Sequence, residues 1–333
     1  MQFVRECYSR GEKCGQKPAG LRHGSLSQAM RSELTKAFEL QRTADPARVE
    51  EALKLLQNTV FSFSMTVCGH REDAEDTMQD VLLKAIPYLG RFESPTALTT
   101  WLYKVARNRC WMSRRKSKFA PREHLSLEEL MPYPAEMERL AAAVARDASP
   151  ERASIEGQTT AQLQKAILKV PPGYRLVLVL HDVEELSSVE IARILNIKEG
   201  NVRVRLHRAR LFVRKELSQL PIRPTAPAES EPALSIPNRT EGRKSKVPRT
   251  NRCKHIFANL SDYLDGALDD TLCEELERHM SGCKPCEAFL ADLRTSIERM
   301  HSLPRQQPDL NAGSETRAPL VQKVQALLST DKT

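Results

Sequence analysis

Residues Ser187 to Leu217, SSVEIARILNIKEGNVRVRLHRARLFVRKEL, restrict the available folds more than any other part of the chain. The stretch reads as two helices joined by a tight turn. Val189, Ile191, Ala192 and Leu195 form the buried side of the first helix, and Asn196 offers a C-terminal turn. Gly200 and Asn201 open the second. There Val202, Leu206, Ala209 and Val213 recur at spacings of 4, 3 and 4, which makes one apolar stripe. The remaining positions carry Arg203, Arg205, His207, Arg208, Arg210, Arg214 and Lys215. Val204 lies nearly opposite the stripe, where an apolar residue suits contact with a thymine methyl. A basic helix by itself is usually a solvated face. Here an aliphatic first helix, a short turn and a basic second helix coincide, which is the pattern of a helix-turn-helix that enters the DNA major groove. Arg203 and His207 are expected to face bases, and Arg210, Arg214 and Lys215 to face phosphates.

A chain of 333 residues holds two domains or three small ones. Lys and Arg outnumber Asp and Glu by 51 to 43, which favours a polyanionic partner. Aromatic residues are only 5% of the chain, so aliphatic helix contacts must build the cores. With no alternating strand pattern, the fold class is all-α: two helical domains and a small helical third, joined by flexible linkers. The apolar runs, Leu176 to Leu180 among them, are far too short to span a bilayer. The N-terminus lacks the apolar core of a secretory signal. Eight cysteines, scattered apart from one C-x2-C, fit a reducing compartment. The expectation is a cytoplasmic protein with no membrane contact.

The chain divides by composition. Residues 1–28 are a polar tail. Residues 29–118 carry helical periodicity, with one apolar-rich helix from Val49 to Val67. A second has its stripe at Ala74, Met78, Val81, Leu82 and Ala85 and ends at Pro87 and Gly90. A third is opened by Pro95, with Leu98, Trp101, Leu102 and Val105 on its apolar side. Residues 119–156 are a Pro-broken acidic linker containing Glu128, Glu129, Glu136 and Glu138. Residues 157–220 hold the helix-turn-helix. Residues 221–250 are a Pro-rich linker. Residues 251–303 form a Cys/His-containing helical unit. Residues 304–333 are a polar tail with one short amphipathic helix, on whose apolar face lie Leu320, Val321, Val324, Leu327 and Leu328.

The run from Val170, Pro171, Pro172, Tyr174 and Arg175, through Val183, Glu184, Glu190, Ile191 and Ala192, to Leu206, His207, Arg208, Ala209 and Arg210, resembles region 4 of the sigma-70 family. The likeness is to its extracytoplasmic-function (ECF) group, over about sixty residues. The resemblance implies that this helix reads the −35 promoter element. Asn201 stands where that family commonly has Thr, and Arg203-Val204 where Lys-Ser is common, so a promoter sequence different from the family's is expected. The implied −35 contacts are Asn201, Arg203, Val204, Arg205, His207, Arg208, Arg210 and Arg214.

Upstream, HREDAEDTMQDVLLKAIPYLGRF followed by TTWLYKVARNRCWMSRRKSK resembles region 2 of the same group. Asp73, Asp76 and Asp80 fall on one helix face beside Gln79. Alone they would be a solvated acidic face, but the resemblance makes them the surface that docks on core RNA polymerase. Lys104 to Lys118 is basic and interleaved with Trp111, a composition that captures single strands by pairing phosphates and stacking bases. By the same resemblance Lys104, Asn108, Trp111, Arg114 and Arg115 contact the −10 element, and the loop Arg91 to Thr96 shapes the pocket for an extruded base. Met112 occupies a position where the family usually has Asp. Trp101, on the apolar stripe, reads as core. The acidic linker would thread through the polymerase channels.

The sequence RHMSGCKPC places His279, Cys283 and Cys286 as H-x3-C-x2-C, with Ser281-Gly282 ending one helix and Pro285 starting the next. Imidazole and thiolates from one turn suit tetrahedral zinc. Cys253 is the expected fourth ligand of a single Zn2+, with His255 and Cys273 as the other choices. The segment from Cys253 to Leu290 resembles a zinc-binding anti-sigma domain. That resemblance implies a short helical bundle able to clasp the sigma regions in cis, at the high effective concentration a tether provides.

The combined reading is a non-enzymatic transcription initiation factor with core RNA polymerase and promoter DNA as partners. One rival is a helix-turn-helix regulator acting without polymerase. A zinc-dependent nuclease or hydrolase is another, disfavoured because four protein ligands close the metal site.

Overall fold

The computed structural model describes residues 33–40, 46–88, 90–113, 125–132, 136–137, 156–218 and 251–308. Residues 1–28 and 309–333, the linker 221–250, Arg114, Arg115, Glu138 and the side chain of Trp111 lie outside the described residues. Everything described is helix or short connection, with no strand among it. The elements are α1 (33–40), α2 (Pro46–Cys68), α3 (Arg71–Ala85), α4 (Pro95–Ser113) and the single turn α5 (Leu127–Leu130). They continue with α6 (Glu156–Lys169), α7 (Pro172–Leu178), α8 (Ser188–Leu195) and α9 (Glu199–Ser218), and end with α10 (Asn251–Leu264), α11 (Asp270–Gly282) and α12 (Lys284–His301).

The first body follows its apolar periods. On α2, Val49, Leu53, Leu56, Val60, Phe63 and Val67 are buried at 3–4 spacing. On α3 the buried residues are Ala74, Met78, Val81, Leu82 and Ala85, as expected, with Thr77 added. Gly69 joins the two helices at φ 74, and a Cβ there would stand 2.7 Å from the Leu168 side chain. The turn therefore seats directly on α6. On α4, Leu98, Leu102, Ala106 and Cys110 are buried. Trp101 is half-buried, with its ring 5.9 Å from Tyr88 and 5.7 Å from Phe92.

The helix-turn-helix packs against this body. Arg175 is buried at the start of α7, where its guanidinium donates to the carbonyls of Val170, Leu168 and Val67. It thereby ties the end of α2 to the α6–α7 turn. After α7 the chain continues as a π-helical segment, Val179–Val183. This wide turn directs His181 and Asp182 toward α9. Ser187 then caps α8 in a reciprocal capping box with Glu190, and Asn196 ends α8 in the left-handed conformation.

The buried face of α8 needs one correction. Val189 is 45% exposed, while Ile194, not expected in the core, is buried. Ile194 sits where α4 approaches, and its carbonyl accepts from Arg107 Nη1 at 3.0 Å. The core of α8 is thus set by a partner that lies 87 residues away. Val202, Leu206, Ala209 and Val213 are buried as expected.

Helices α10 to α12 close around Ile256, Phe257, Leu260, Leu276, Met280, Phe289, Leu293 and Ile297. Phe257 and Phe289 meet edge to face at 4.7 Å. Asp269 caps α11 by accepting from the Leu272 amide.

Candidate nucleic-acid interface and metal centre

Helix α9 has three faces. The apolar stripe faces the core. Asn201 and Val204 are exposed, Val204 at 50%, and Arg203, Arg205 and Arg208 are partly exposed beside them. The third face carries His207, Arg210 and Arg214, and all three are buried. This corrects the expectation that His207 faces bases and that Arg210 and Arg214 face phosphates, because side chains from four other segments cover that face.

Arg210 is fully buried. It donates from Nε and Nη2 to Asp182 at 2.8 and 2.6 Å, and from Nη1 and Nη2 to Asp265, just past the end of α10, at 2.8 and 2.9 Å. Burial works against the Asp182 carboxylate, but the charge and hydrogen bonds of Arg210 outweigh it and hold the carboxyl well below its ordinary range. His181 Nδ1 lies 2.8 Å from the same carboxylate. Four residues on, Arg214 donates to Glu136 at 2.6 Å and to Asp292 on α12 at 2.7 Å, with its guanidinium 4.2 Å above the Phe289 ring. Glu136, expected as part of a polymerase-channel linker, is therefore engaged by α9. Lys215 donates to the Glu129 carbonyl, while Glu128 and Glu129 keep exposed side chains.

His207 Nδ1 lies 3.0 Å from Ser261 Oγ on α10, and its Nε2 is buried without a partner. Burial, then the charges of Arg210 and Arg208, lower its pKa from 6.5 to about 4. The docked imidazole is thus neutral, whereas a released one gains a proton below pH 6.5. The sign follows: docking of α10 on α9 is at full strength above pH 6.5 and is lost as the pH falls toward 4. At pH 5.5, one unit below the unperturbed value, docking weakens by up to about tenfold, because Arg208 and Arg210 stay beside His207 on α9 after release. Hydrogen exchange of α10 amides across this range measures it. Subtracting the profile of His207→Gln removes other titrations, including that of Asp262, whose carboxyl burial raises. Identical profiles for the two proteins would sink the prediction.

On α3, Asp76 is exposed and Asp73, Gln79 and Asp80 are partly exposed, with Asp80 paired to Arg109 at 3.0 Å. On α4, Lys104 and Asn108 are exposed one turn apart on a common face.

The metal candidates come from all three C-terminal helices. Cys253 begins α10, His279 lies in the last turn of α11 and Cys286 in the first turn of α12. Their ligand atoms all lie within 4.8 Å of one another. His279 Nε2 is 3.4 Å from Cys286 Sγ and 3.9 Å from Cys253 Sγ. Tetrahedral zinc needs about 3.6 Å between sulfur and nitrogen ligands, so the donor set fits. Cys283, in the α11–α12 turn, falls outside this three-residue group but interacts with the Cys286 thiol. Burial, then the neighbouring thiols, push the Cys286 thiol up. The other candidate ligands, Cys273 and His255, are not in the cluster.

Sequence reasoning missed three groups that position these surfaces: Tyr103, Glu184 and the Ser187–Glu190 capping box. Only the last had a local signal, Ser-x-x-Glu before an apolar run. No described helix is long and apolar enough to cross a membrane.

Comparison with known proteins places these units. A model described as Sigma-70 region 2 matches residues 53–119, and one described as Sigma-70, region 4 matches residues 160–213. A zinc-finger family model matches residues 253–286. The ECF RNA polymerase sigma factor SigW of Bacillus subtilis (strain 168) is 29% identical over 194 residues, which is 57% of this chain and 100% of SigW. The RNA polymerase sigma-H factor of Pseudomonas aeruginosa is 31% identical over 165 residues, covering 49% of this chain and 83% of that protein. The ECF RNA polymerase sigma-E factor of Escherichia coli (strain K12) is 26% identical over 148 residues, covering 44% and 75%.

Proposed function

The chain belongs to the sigma-70 family of RNA polymerase sigma factors, in its ECF group, and on that premise we propose a transcription initiation factor that carries its own zinc-binding regulator. In this reading region 2 spans α1 to α4, region 4 spans α6 to α9, and the zinc-binding unit is α10 to α12, around the matches at residues 53–119, 160–213 and 253–286. The observation that carries the reading is the presence of both promoter-binding regions on one chain, each with a polar face left open. A regulator acting without polymerase would have no use for region 2. Family membership also brings the expectation of a non-enzymatic protein working in the cytoplasm, where the polymerase is.

The roles assigned to the residues follow. Asp73, Asp76, Gln79 and Asp80 dock on core polymerase. Lys104, Asn108 and Trp111, continued by Arg114 and Arg115, hold the opened −10 strand. At the −35 element Asn201, Arg203, Val204, Arg205 and Arg208 are the contacts. Val204 favours a thymine methyl, and an arginine on a base edge contributes about 1–3 kcal/mol of discrimination. His207, Arg210 and Arg214 join them only to the extent that the zinc unit leaves α9, and Arg210 keeps Asp182 as its partner even then. One Zn2+ on Cys253, His279, Cys286 and Cys283 would cross-link three helices in a closed structural site. This unit supplies the Ser261, Asp265 and Asp292 side chains that meet α9. The zinc unit thus regulates its own sigma regions in cis.

Run-off transcription with core polymerase tests the proposal. The full chain is compared with a form ending at Leu220, each with and without a zinc chelator. Truncation is expected to raise transcription about tenfold, within the usual range of coupling between sites. Chelation is expected to raise only the full chain. No transcript from either form would sink the sigma assignment, and equal transcript from both would sink the regulation.

A further inference from the structure

Past the end of α12 the chain runs as a strap, residues 303–308, into the seam between region 2 and region 4. Leu303 and Pro308 are buried at its two ends, and Arg305 lies between them. Arg305 Nη1 is 2.9 Å from Glu33 on α1, and its Nη2 is 3.9 Å from Glu184, in the segment that leads into the helix-turn-helix. Glu184 also accepts from the Tyr103 hydroxyl of α4 at 2.7 Å. Tyr103 and Glu184 are both buried, and Phe63 holds the Tyr103 ring edge to face at 5.0 Å. One guanidinium from the C-terminal part therefore meets a carboxylate from each of the two promoter-binding bodies.

The geometry points to a latch: we propose that the Arg305 junction with Glu33 and Glu184 holds region 2 closed on region 4. The proposal rests on the sigma reading and deepens its regulation. The promoter elements lie about 25 base pairs apart, on the order of 80 Å at roughly 3.4 Å per pair. Region 2 and region 4 touch directly, through Tyr103 on Glu184 and Arg107 on Ile194. Two small bodies in contact, each with a radius of gyration of about 12 Å, do not span that distance. Closure thus blocks promoter engagement even though Asn201 and Val204 stay open on α9. Covering the DNA-reading residues is not required, because holding the two readers together is enough.

The strap makes this state conditional on the C-terminal unit. Burial raises the Glu184 carboxyl, and Arg305 is the cation that opposes the shift. When the strap leaves, Glu184 keeps only the Tyr103 hydroxyl against burial, and separating the two bodies lets it regain water. Loss of Arg305 therefore favours opening.

The test uses the full chain. Arg305→Gln and Glu33→Gln remove the latch from either side. Asp265→Asn with Asp292→Asn loosens the zinc unit from α9 without touching the strap. Each protein is read by run-off transcription with core polymerase and by radius of gyration from X-ray scattering. Arg305→Gln and Glu33→Gln are each expected to enlarge the radius and raise transcription at least about fivefold, the lower end of ordinary coupling. If the Asp pair raises transcription while both latch variants leave radius and transcript unchanged, the latch is wrong and cis regulation stands. If no variant changes an active full chain, regulation and latch fall together. Absence of transcript from every protein overturns the sigma assignment itself, and the latch with it.

Discussion

Arg210→Ala is expected to destabilise the helix-turn-helix by about 3–5 kcal/mol, the usual loss when one member of a buried ion pair is removed. Both members have fully buried side chains, so no solvent screens the Asp182 charge left behind. The measurement is amide exchange in α8 and α9, where protection is expected to fall by at least a hundredfold. A second variant separates charge from packing: Arg210→Met with Asp182→Asn removes both fully buried charges and is expected to cost far less, because Asp265, the partner left behind, is reached by solvent. Equal losses from the two variants would mean that the arginine acts by packing, and the ion-pair account would be wrong.

Phe289→Ala is expected to cost the zinc unit about 3–5 kcal/mol, the range for deleting a buried aromatic ring. Phe289 is fully buried, meets Phe257 edge to face, and is the platform beneath Arg214. A unit of this size has only about 3–8 kcal/mol in total, so the change removes most of its stability. Helices α10 to α12 then depend on bound zinc to stay folded, and release from α9 follows when the metal is withdrawn. Limited proteolysis of the full chain, with zinc and with chelator, reads this directly. Cleavage within α10 to α12 that is unchanged from the parent chain under chelation would refute it.

Much of this architecture was legible in the sequence because helices announce themselves by period. The stripe Val202, Leu206, Ala209 and Val213 and the α3 stripe are local patterns, and both are buried as read. Asn196 was legible for a similar reason, since its left-handed turn follows from residue type. The misreadings share a different cause. Arg210 and Arg214 looked like phosphate contacts because arginine is usually solvated, and nothing near them in sequence says otherwise. The carboxylates that cover Arg210 come from 28 and 55 residues away, and both of Arg214's from 78. Val189 and Ile194 exchanged places because α8 is eight residues long and takes its core from α4 as well as from α9. The cysteine spacing revealed the metal candidate, but only the folded helices bring Cys253 within reach of His279.

The π-helical segment Val179–Val183 has a consequence for how this region tolerates change in length. An α-helix advances about 100° per residue, and a single π turn absorbs one residue more than an α turn. The segment closes on itself through the Glu184 amide to the Val179 carbonyl at 2.9 Å. It therefore fixes the rotational phase between α7 and everything that follows. Substitutions within it alter packing one side chain at a time. Deleting one residue would restore α spacing and turn Asp182, Glu184 and the start of α8 together, by about a quarter of a revolution. The internal pairing of Arg210, the aim of Val204 and the seam closed by Arg305 all depend on that one residue of surplus length.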